Sequence, residues 1–214
     1  MRVSAGLSPD FAGSCDGGTL PLPTLRAVTE ALTEDPRPDG LRTAPSVVVL
    51  NTGDGKGKST AAFGIMVRGV ARGWRVAVVQ FIKSGKWQVG EEKVGRELGV
   101  DWLAVGDGFT WDSDDISHDV ELAREGWEQA AALIAAGDHQ LVVLDEVTYL
   151  CTWGWVDVAD VAAAIRDRPA HVNVVITGRD APQELIDVAD TVTEMRSVKH
   201  AYERGIRALR GVDH

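Results

Sequence analysis

The sequence predicts an α/β fold, a three-layer sandwich in which helices cover both faces of a mainly parallel sheet of about six strands. Two observations lead to this prediction. Short apolar runs recur along the chain without polar alternation, which is typical of strands buried on both faces. These runs alternate with segments of helical periodicity, and strand–helix–strand alternation produces parallel strands joined by right-handed crossovers.

The predicted strands are short and rich in β-branched residues. The first, residues 46–50, ends at a glycine-rich turn, and the fourth, residues 141–145, is apolar up to its final aspartate. The other predicted strands are residues 74–81, 100–105, 172–176 and 190–194. Helical periodicity predicts helices at residues 59–72, 91–98, 118–136, 156–168 and 183–188. A polar loop over residues 106–117 is the longest interruption.

Composition limits the classes of function. The chain has 214 residues, of which 44% are hydrophobic and 25% charged, as in ordinary globular proteins. Its net charge of -10 repels phosphate backbones and argues against a nucleic-acid partner. There is no apolar run of membrane-spanning length and no apolar signal segment at the N-terminus. Two cysteines fit a reducing compartment. We therefore expect a cytoplasmic protein.

The first part of the chain differs in composition from the rest. Six of the eight prolines lie in the first 45 residues, among many glycine, serine, threonine and aspartate residues. This composition predicts a flexible leader over residues 1–43 and one folded domain over residues 44–214. The alternative is that the leader is an arm that covers a site, on a partner subunit.

The strongest chemical signal lies between the first predicted strand and helix. The segment consists of Thr52, Gly53, Asp54, Gly55, Lys56, Gly57, Lys58, Ser59 and Thr60. A strand–glycine loop–helix context is what a phosphate-binding P-loop requires, because the backbone amides and the helix N-terminus then face an anion. Lys58 supplies a cation for the phosphates, and the hydroxyl of Ser59 can bind Mg²⁺. The loop is a variant, since Thr52 occupies the usual first glycine position.

Two carboxylates follow the fourth predicted strand. Asp145 and Glu146 come at its C-terminal end, the edge at which ligands bind in open α/β sheets. One of the two can hold the Mg²⁺ that neutralises bound phosphates.

Several segments together resemble the cob(I)yrinic acid a,c-diamide adenosyltransferases, a P-loop family. The resembling segments are TGDGKGKSTAAFG at 52–64, VQFIK at 79–83, KW at 86–87, GEE at 90–92, GFTW at 108–111, VLDEVTY at 143–149, ITGR at 176–179, ADTVTEM at 189–195 and VKHA at 198–201. They occur in the family's order and extend over residues 46 to 212. The chain departs from the family in its acidic, proline-rich leader and in ending with His214, where relatives often have an aromatic residue.

The resemblance implies a P-loop NTPase-like fold and a homodimer. It also implies that the substrates are ATP and a reduced corrinoid, and that adenosyl transfer releases triphosphate during adenosylcobalamin biosynthesis or salvage. An electron donor such as a flavoprotein would reduce the corrinoid to Co(I).

By matching position, the resemblance assigns individual roles. The loop from Thr52 to Thr60 would bind ATP, and His200 would lie near the nucleotide. Glu146 would bind Mg²⁺ beside Ser59. Phe109 and Trp111 would face the corrinoid.

The proposed chemistry suits these residues. Co(I) is a strong nucleophile that needs no general base when it attacks C5′ of ATP. Lys56, Lys58, Mg²⁺ and loop amides would stabilise the departing triphosphate. Phe109 and Trp111 could form an apolar wedge that excludes the lower axial ligand and eases reduction to Co(I). The alternative for both aromatics is simple packing on the core.

Other interpretations remain open at this level. A P-loop ATPase or small-molecule kinase would share the loop and the paired carboxylates but yield ADP, and a nucleotide switch would hydrolyse ATP slowly. Further basic residues (Lys83, Lys86 and Arg179) could contact phosphate or corrinoid amides, or be solvated. The remaining histidines of interest are His118, His139 and His171, which have no metal-ligand spacing and are expected at the surface or at helix caps.

Overall fold

The apolar runs form one open sheet. In the computed structural model, residues 39–82, 90–106 and 116–213 are described. Within these residues the strands are β1 (Val48–Thr52), β2 (Val76–Phe81), β3 (Asp101–Val105), β4 (Leu141–Asp145), β5 (Asn173–Thr177) and β6 (Thr191–Glu194). Their order across the sheet is β3-β2-β4-β5-β1-β6, and every pairing is parallel. The prediction of a mainly parallel sheet of about six strands is confirmed.

Helices connect the strands in the described parts of the chain. They are α1 (Lys58–Ala71), α2 (Gly90–Glu97), α3 (Ile116–Ala136), α4 (Val147–Thr152), α5 (Val158–Arg166) and α6 (Gln183–Val188), and a short 3-10 helix follows at Tyr202–Arg204. Helix α4 was not predicted as a separate element. Only Glu146 separates its six residues from β4, so no change of hydrophobic period marks the boundary between strand and helix.

The sheet separates two apolar layers. Along β4, Val142 and Leu144 pack into a cluster that contains the buried faces of α3, α5 and α6. The alternating residues Leu141 and Val143 pack into a second cluster with the buried face of α1. Because successive side chains of a strand point to opposite faces, a strand with no polar alternation requires helices on both sides. The described chain is therefore the three-layer α/β sandwich that the sequence predicted.

Strand register brings polar residues together at one edge. Asn51 of β1 pairs with Thr177 of β5, and Gln80 of β2 pairs with Asp145 of β4. Each lies at or next to the C-terminal end of its strand, and parallel strands present those ends on the same side of the sheet. The apolar run of β1 stops at Leu50, yet the strand continues through Asn51 and Thr52, because backbone pairing with β5 and β6 does not require apolar side chains.

A different polar cluster lies at the other side of the sheet, where the strands begin. His139 precedes β4 and is only 3% exposed, and its Nε2 lies 2.7 Å from Oδ2 of Asp101 at the start of β3. Arg75 donates a second hydrogen bond to the same carboxylate oxygen at 3.3 Å. The surface position expected for His139 is therefore wrong, because a residue next to a central strand is covered by the layers on either side.

Backbone contacts divide the chain into the units Met1–Arg42 and Thr43–His214. The predicted boundary between leader and domain lies at residues 43 and 44. The flexible leader was predicted over residues 1–43, of which residues 1–38 lie outside the described residues. No helix in the described ranges combines the length and the apolarity needed to cross a membrane.

Candidate active site

The glycine-rich loop connects β1 to α1 at the polar edge of the sheet. Gly57 precedes the first residue of α1 and has a φ of 112°, while Gly53 has a φ of 93°, conformations that strongly favour glycine. The side-chain amide of Asn51 donates to the carbonyl of Lys58 at 3.4 Å, which links the end of β1 to the start of the helix. The loop thus has a tight turn at each end.

Lys58 lies across the loop that precedes it. Its ammonium donates hydrogen bonds to the carbonyl oxygens of Gly53, at 2.7 Å, and Gly55, at 2.8 Å. Burial lowers the pKa of this half-buried lysine, and the positive charge of Arg179 lowers it further, against the opposing influence of Glu146 and other carboxylates. The Arg179 guanidinium and the Glu146 carboxylate are thus near enough to Lys58 to influence its pKa.

The two carboxylates after β4 have different environments. Asp145 is fully buried and accepts hydrogen bonds from Nε2 of Gln80, at 2.8 Å, and from the hydroxyl of Thr177, at 2.7 Å. The same hydroxyl accepts a hydrogen bond of 2.9 Å from the backbone N–H of Glu146. Asp145 therefore joins three neighbouring strands and orients the backbone of the residue that follows it.

Glu146, the second carboxylate, is less buried than Asp145. It has a φ of 64° and forms the N-cap position of α4, and its side chain is partly exposed. A positive φ at a residue other than glycine is uncommon and is retained where surrounding contacts require it. The sequence left open which of Asp145 and Glu146 could hold a metal. Because both oxygens of Asp145 are engaged inside the sheet, Glu146 is the better candidate.

Carboxylate and hydroxyl oxygens suit Mg²⁺, which takes few protein ligands and retains water and phosphate oxygens. Ser59, the second residue of α1, is partly buried at the helix start, and Glu146 lies at the start of α4. The donor set fits the ion. Within the described ranges, no group of three or more His, Cys, Asp or Glu residues is arranged to hold a metal.

The segment that leaves β6 packs directly on the loop. The backbone N–H of Gly55 donates to the carbonyl of Met195 at 2.6 Å. A Cβ at Gly53 would lie 2.5 Å from that same carbonyl oxygen, and one at Gly55 would lie 2.7 Å from the backbone of Arg196. These glycines are therefore required by close backbone contact as well as by turn geometry. This arrangement differs from the expected loop, because the amide of Gly55 faces Met195.

A cavity of about 710 Å³ opens on the outer side of the loop. The residues around it include Asp54, Lys56, Arg179, His200, Tyr202 and Arg207. His200, which the sequence predicted near the nucleotide, thus shares a cavity with two loop residues. Its Nδ1 accepts a hydrogen bond of 3.0 Å from the backbone N–H of Tyr202, which orients the ring. Charged groups of both signs surround this space.

Some predicted site residues cannot be compared with the structure. Phe109 and Trp111 lie outside the described residues, as do Lys83 and Lys86. The roles predicted for these residues stay predictions.

Other contributors were missed by sequence reasoning. Gln80 and Thr177 position the carboxylates, and Met195 packs on the loop. A polar residue at the end of an otherwise apolar strand is a signal that could have found the first two. Met195 had no such signal, because its contribution is a backbone carbonyl.

The fold and this site define a class: three-layer α/β proteins with a glycine-rich loop between the first strand and the first helix. Residues 45–214 match the family model described as ATP:corrinoid adenosyltransferase BtuR/CobO/CobP, and the chain belongs to that family.

Relatives of the chain carry matching names. It is 40% identical over 168 residues to the corrinoid adenosyltransferase of Escherichia coli strain K12, covering 78% of this chain and 85% of that protein. It is 39% identical over 168 residues to the corrinoid adenosyltransferase CobA of Salmonella typhimurium, with the same coverage. The corrinoid adenosyltransferase of Pseudomonas aeruginosa is 44% identical over 169 residues, or 78% of this chain and 83% of that protein.

Proposed function

We propose that this protein transfers the 5′-deoxyadenosyl group of ATP to the Co(I) of a corrinoid and releases triphosphate, in the biosynthesis or salvage of adenosylcobalamin. The observation that carries the proposal is the convergence of Lys58, Arg179 and Glu146 at the glycine-rich loop. Two cations and a carboxylate that could hold Mg²⁺ suit a substrate with concentrated negative charge. Membership in the adenosyltransferase family supplies the reaction class.

In the proposed reaction the electron pair of Co(I) forms a bond to C5′ of ATP. The C5′–O bond breaks, and its electrons leave on the α-phosphate oxygen of intact triphosphate. No proton has to be removed from the nucleophile, so the site needs no general base. The principal task of the protein is to hold C5′ in line with cobalt and to stabilise the leaving group.

Lys58 is proposed to stabilise the triphosphate directly. Its two hydrogen bonds to carbonyls of Gly53 and Gly55 hold the ammonium over the loop, at the start of α1. The N-terminus of α1 adds a favourable dipole for an anion. Arg179, which follows β5 and influences the pKa of Lys58, can contact the same anion with a planar guanidinium.

Ser59 and Glu146 would hold Mg²⁺ when ATP binds. The ion would neutralise charge on the phosphate oxygens and so improve triphosphate as a leaving group. The positive φ of Glu146 and the Thr177 hydrogen bond to its backbone N–H hold that residue at the polar edge of the sheet.

The remaining roles are proposals from the family resemblance. Phe109 and Trp111 would face the corrinoid, and His200 would lie near the nucleotide. A flavoprotein-type donor would supply the electron that reduces Co(II) to Co(I). The protein would act as a homodimer. Dependence on ATP and a low-potential reductant would suit the cytoplasm. Light scattering on the full chain tests the dimer.

An anaerobic assay tests the function. The full chain is mixed with ATP, Mg²⁺ and a chemically reduced corrinoid, and the cobalt spectrum and the phosphate products are followed. We expect a light-sensitive cobalt–carbon product together with triphosphate, and no spectral change when ATP is omitted. ADP without a cobalt–carbon product would instead indicate an ATPase or a kinase.

A further inference from the structure

The segment that follows the 3-10 helix contacts the glycine-rich loop through one ion pair. The ammonium of Lys56, inside the loop, contacts Oδ1 of Asp213. The two residues are 157 positions apart in sequence. We propose that Asp213 competes with polyphosphate for Lys56 and thereby weakens the retention of triphosphate after adenosyl transfer. The inference rests on the proposed function and adds a residue that sets product affinity.

The carboxylate of Asp213 is held in place from its other side. Its Oδ2 accepts a hydrogen bond of 2.8 Å from the backbone N–H of Leu209. The backbone N–H of Asp213 in turn donates to the carbonyl of Leu209 at 2.8 Å, and Gly211 has a φ of 81° within this turn. A closed turn at the end of the chain therefore presents one carboxylate oxygen to Lys56.

The charge state of the pair supports competition. Hydrogen bonds from the Leu209 N–H and then from Lys56 lower the pKa of Asp213, so the group is anionic at neutral pH. The Lys56 side chain is 56% exposed and that of Asp213 is 24% exposed. Lys56 is thus accessible to a ligand in the adjoining cavity, while its charge is largely balanced by the carboxylate.

A polyphosphate that contacts Lys56 has to share the ammonium with Asp213 or displace it. In either case the nearby carboxylate repels the phosphate oxygens. The effect is larger for free triphosphate than for ATP, because triphosphate carries more charge and has no nucleoside to contribute other contacts. An exposed ion pair is a weak interaction, so its loss should change anion affinity by only about three- to fivefold.

Calorimetric titration with inorganic triphosphate tests the proposal in the presence of Mg²⁺ and the absence of corrinoid. We expect Asp213→Asn to bind triphosphate about three- to fivefold more tightly than the unsubstituted chain. The affinity for ATP should change less. The matched control is Glu125→Gln, which removes the same charge from an exposed position of α3, away from this cavity.

The double variant Lys56→Ala/Asp213→Asn separates competition from a general field effect. Relative to Lys56→Ala alone, the second substitution should change triphosphate affinity by less than twofold. Thermal unfolding of each variant identifies any loss of folding, and affinity is then compared among the folded variants. Unchanged or weaker triphosphate binding by Asp213→Asn would overturn the proposal, as would an equal gain in Glu125→Gln.

The two hypotheses fail in different ways. If the unsubstituted chain binds triphosphate but forms no cobalt–carbon product, the proposed reaction is wrong and the role of Asp213 in anion affinity is still measured. If adenosyl transfer occurs and Asp213→Asn leaves triphosphate affinity unchanged, only the inference about Asp213 is wrong.

Discussion

The hydroxyl of Thr177 donates a hydrogen bond of 2.7 Å to the buried carboxylate of Asp145. The same oxygen accepts the backbone N–H of Glu146 at 2.9 Å. One side chain at the end of β5 therefore orients both acidic residues at the end of β4. Thr177 and Gln80 hold the Asp145 side chain inside the sheet, whereas the Glu146 side chain is partly exposed.

Replacing Thr177 with valine should destabilise the protein while preserving side-chain shape. The substitution removes the donor to Asp145 and the acceptor for the Glu146 amide, and weakening buried polar contacts costs about 1–3 kcal/mol. Chemical denaturation measures the change in unfolding free energy. Thr191→Val, at an exposed position of β6, is the matched control and should change it by less than about 0.5 kcal/mol. Equal effects would show that the Thr177 contacts contribute no specific stability.

Lys58→Ala should abolish formation of the cobalt–carbon product. Removing one group that stabilises developing charge costs roughly 3–4 kcal/mol, or about two to three orders of magnitude in rate. The anaerobic corrinoid assay measures the loss, and Lys93→Ala, on the exposed face of α2, should retain activity. Full activity of Lys58→Ala would contradict the assignment of the phosphate site.

Glu146→Gln should raise the Mg²⁺ concentration needed for half-maximal activity. An amide oxygen is a weaker ligand for a hard cation than a carboxylate, so a shift of about tenfold or more is expected. Titration with Mg²⁺ at saturating ATP measures it. Glu184→Gln, an acidic residue in the first turn of α6, serves as the control. An unchanged Mg²⁺ requirement would remove Glu146 from the proposed metal site.

Gly178→Ala should be strongly destabilising. A Cβ at this position would lie 1.9 Å from Oγ1 of Thr148, and the residue has a φ of 143°. We expect a loss of about 2 kcal/mol or more, since both crowding and backbone strain contribute. Gly64→Ala, on α1, meets no atom within 4 Å and should instead stabilise the helix by about 0.5–1 kcal/mol. Thermal unfolding distinguishes the two, and a stable Gly178→Ala would contradict the close packing.

The hydrogen bonds of Asp101 should make its contribution to the free energy of unfolding depend on pH. The hydrogen bond from His139 holds the pKa of Asp101 below the usual range of an aspartate, and the hydrogen bond from Arg75 acts in the same direction. A carboxyl whose pKa is lower in the folded state than in the unfolded state stabilises the fold at pH values above its unfolded-state pKa. This contribution disappears as the pH falls through the folded-state pKa. The stability advantage over Asp101→Asn should therefore shrink below about pH 4. Urea denaturation between pH 3 and pH 7 measures it, and a pH-independent difference would refute the prediction.

Much of the fold was predictable because burial on two faces leaves a direct pattern. The runs at 141–145 and 172–176 have no polar alternation, and both became central strands of the sheet. Helix α4 was missed because it starts one residue after β4 and has no change of pattern at its start. His139 was misplaced because its burial depends on layers that are distant in sequence.

The candidate site was predictable only where function is concentrated in one short segment. The loop from Thr52 to Thr60 is contiguous, so residue types and spacing identify it. The contact of Met195 with Gly55 and the ion pair of Asp213 with Lys56 bring together residues more than a hundred positions apart. No local sequence pattern predicts either contact. The contact of Met195 also uses its backbone carbonyl, which every residue type has.

By itself the sequence determined the layered α/β class, the position of the glycine-rich loop and the pair of acidic residues after β4. Those features follow from hydrophobic period and from the conformational freedom of glycine, both of which act locally. Only the tertiary structure decided that Asp145 is buried while Glu146 is partly exposed, and that Asp213 contacts Lys56. The reason is that strand pairing and long-range contacts set the distances between residues that are far apart in sequence.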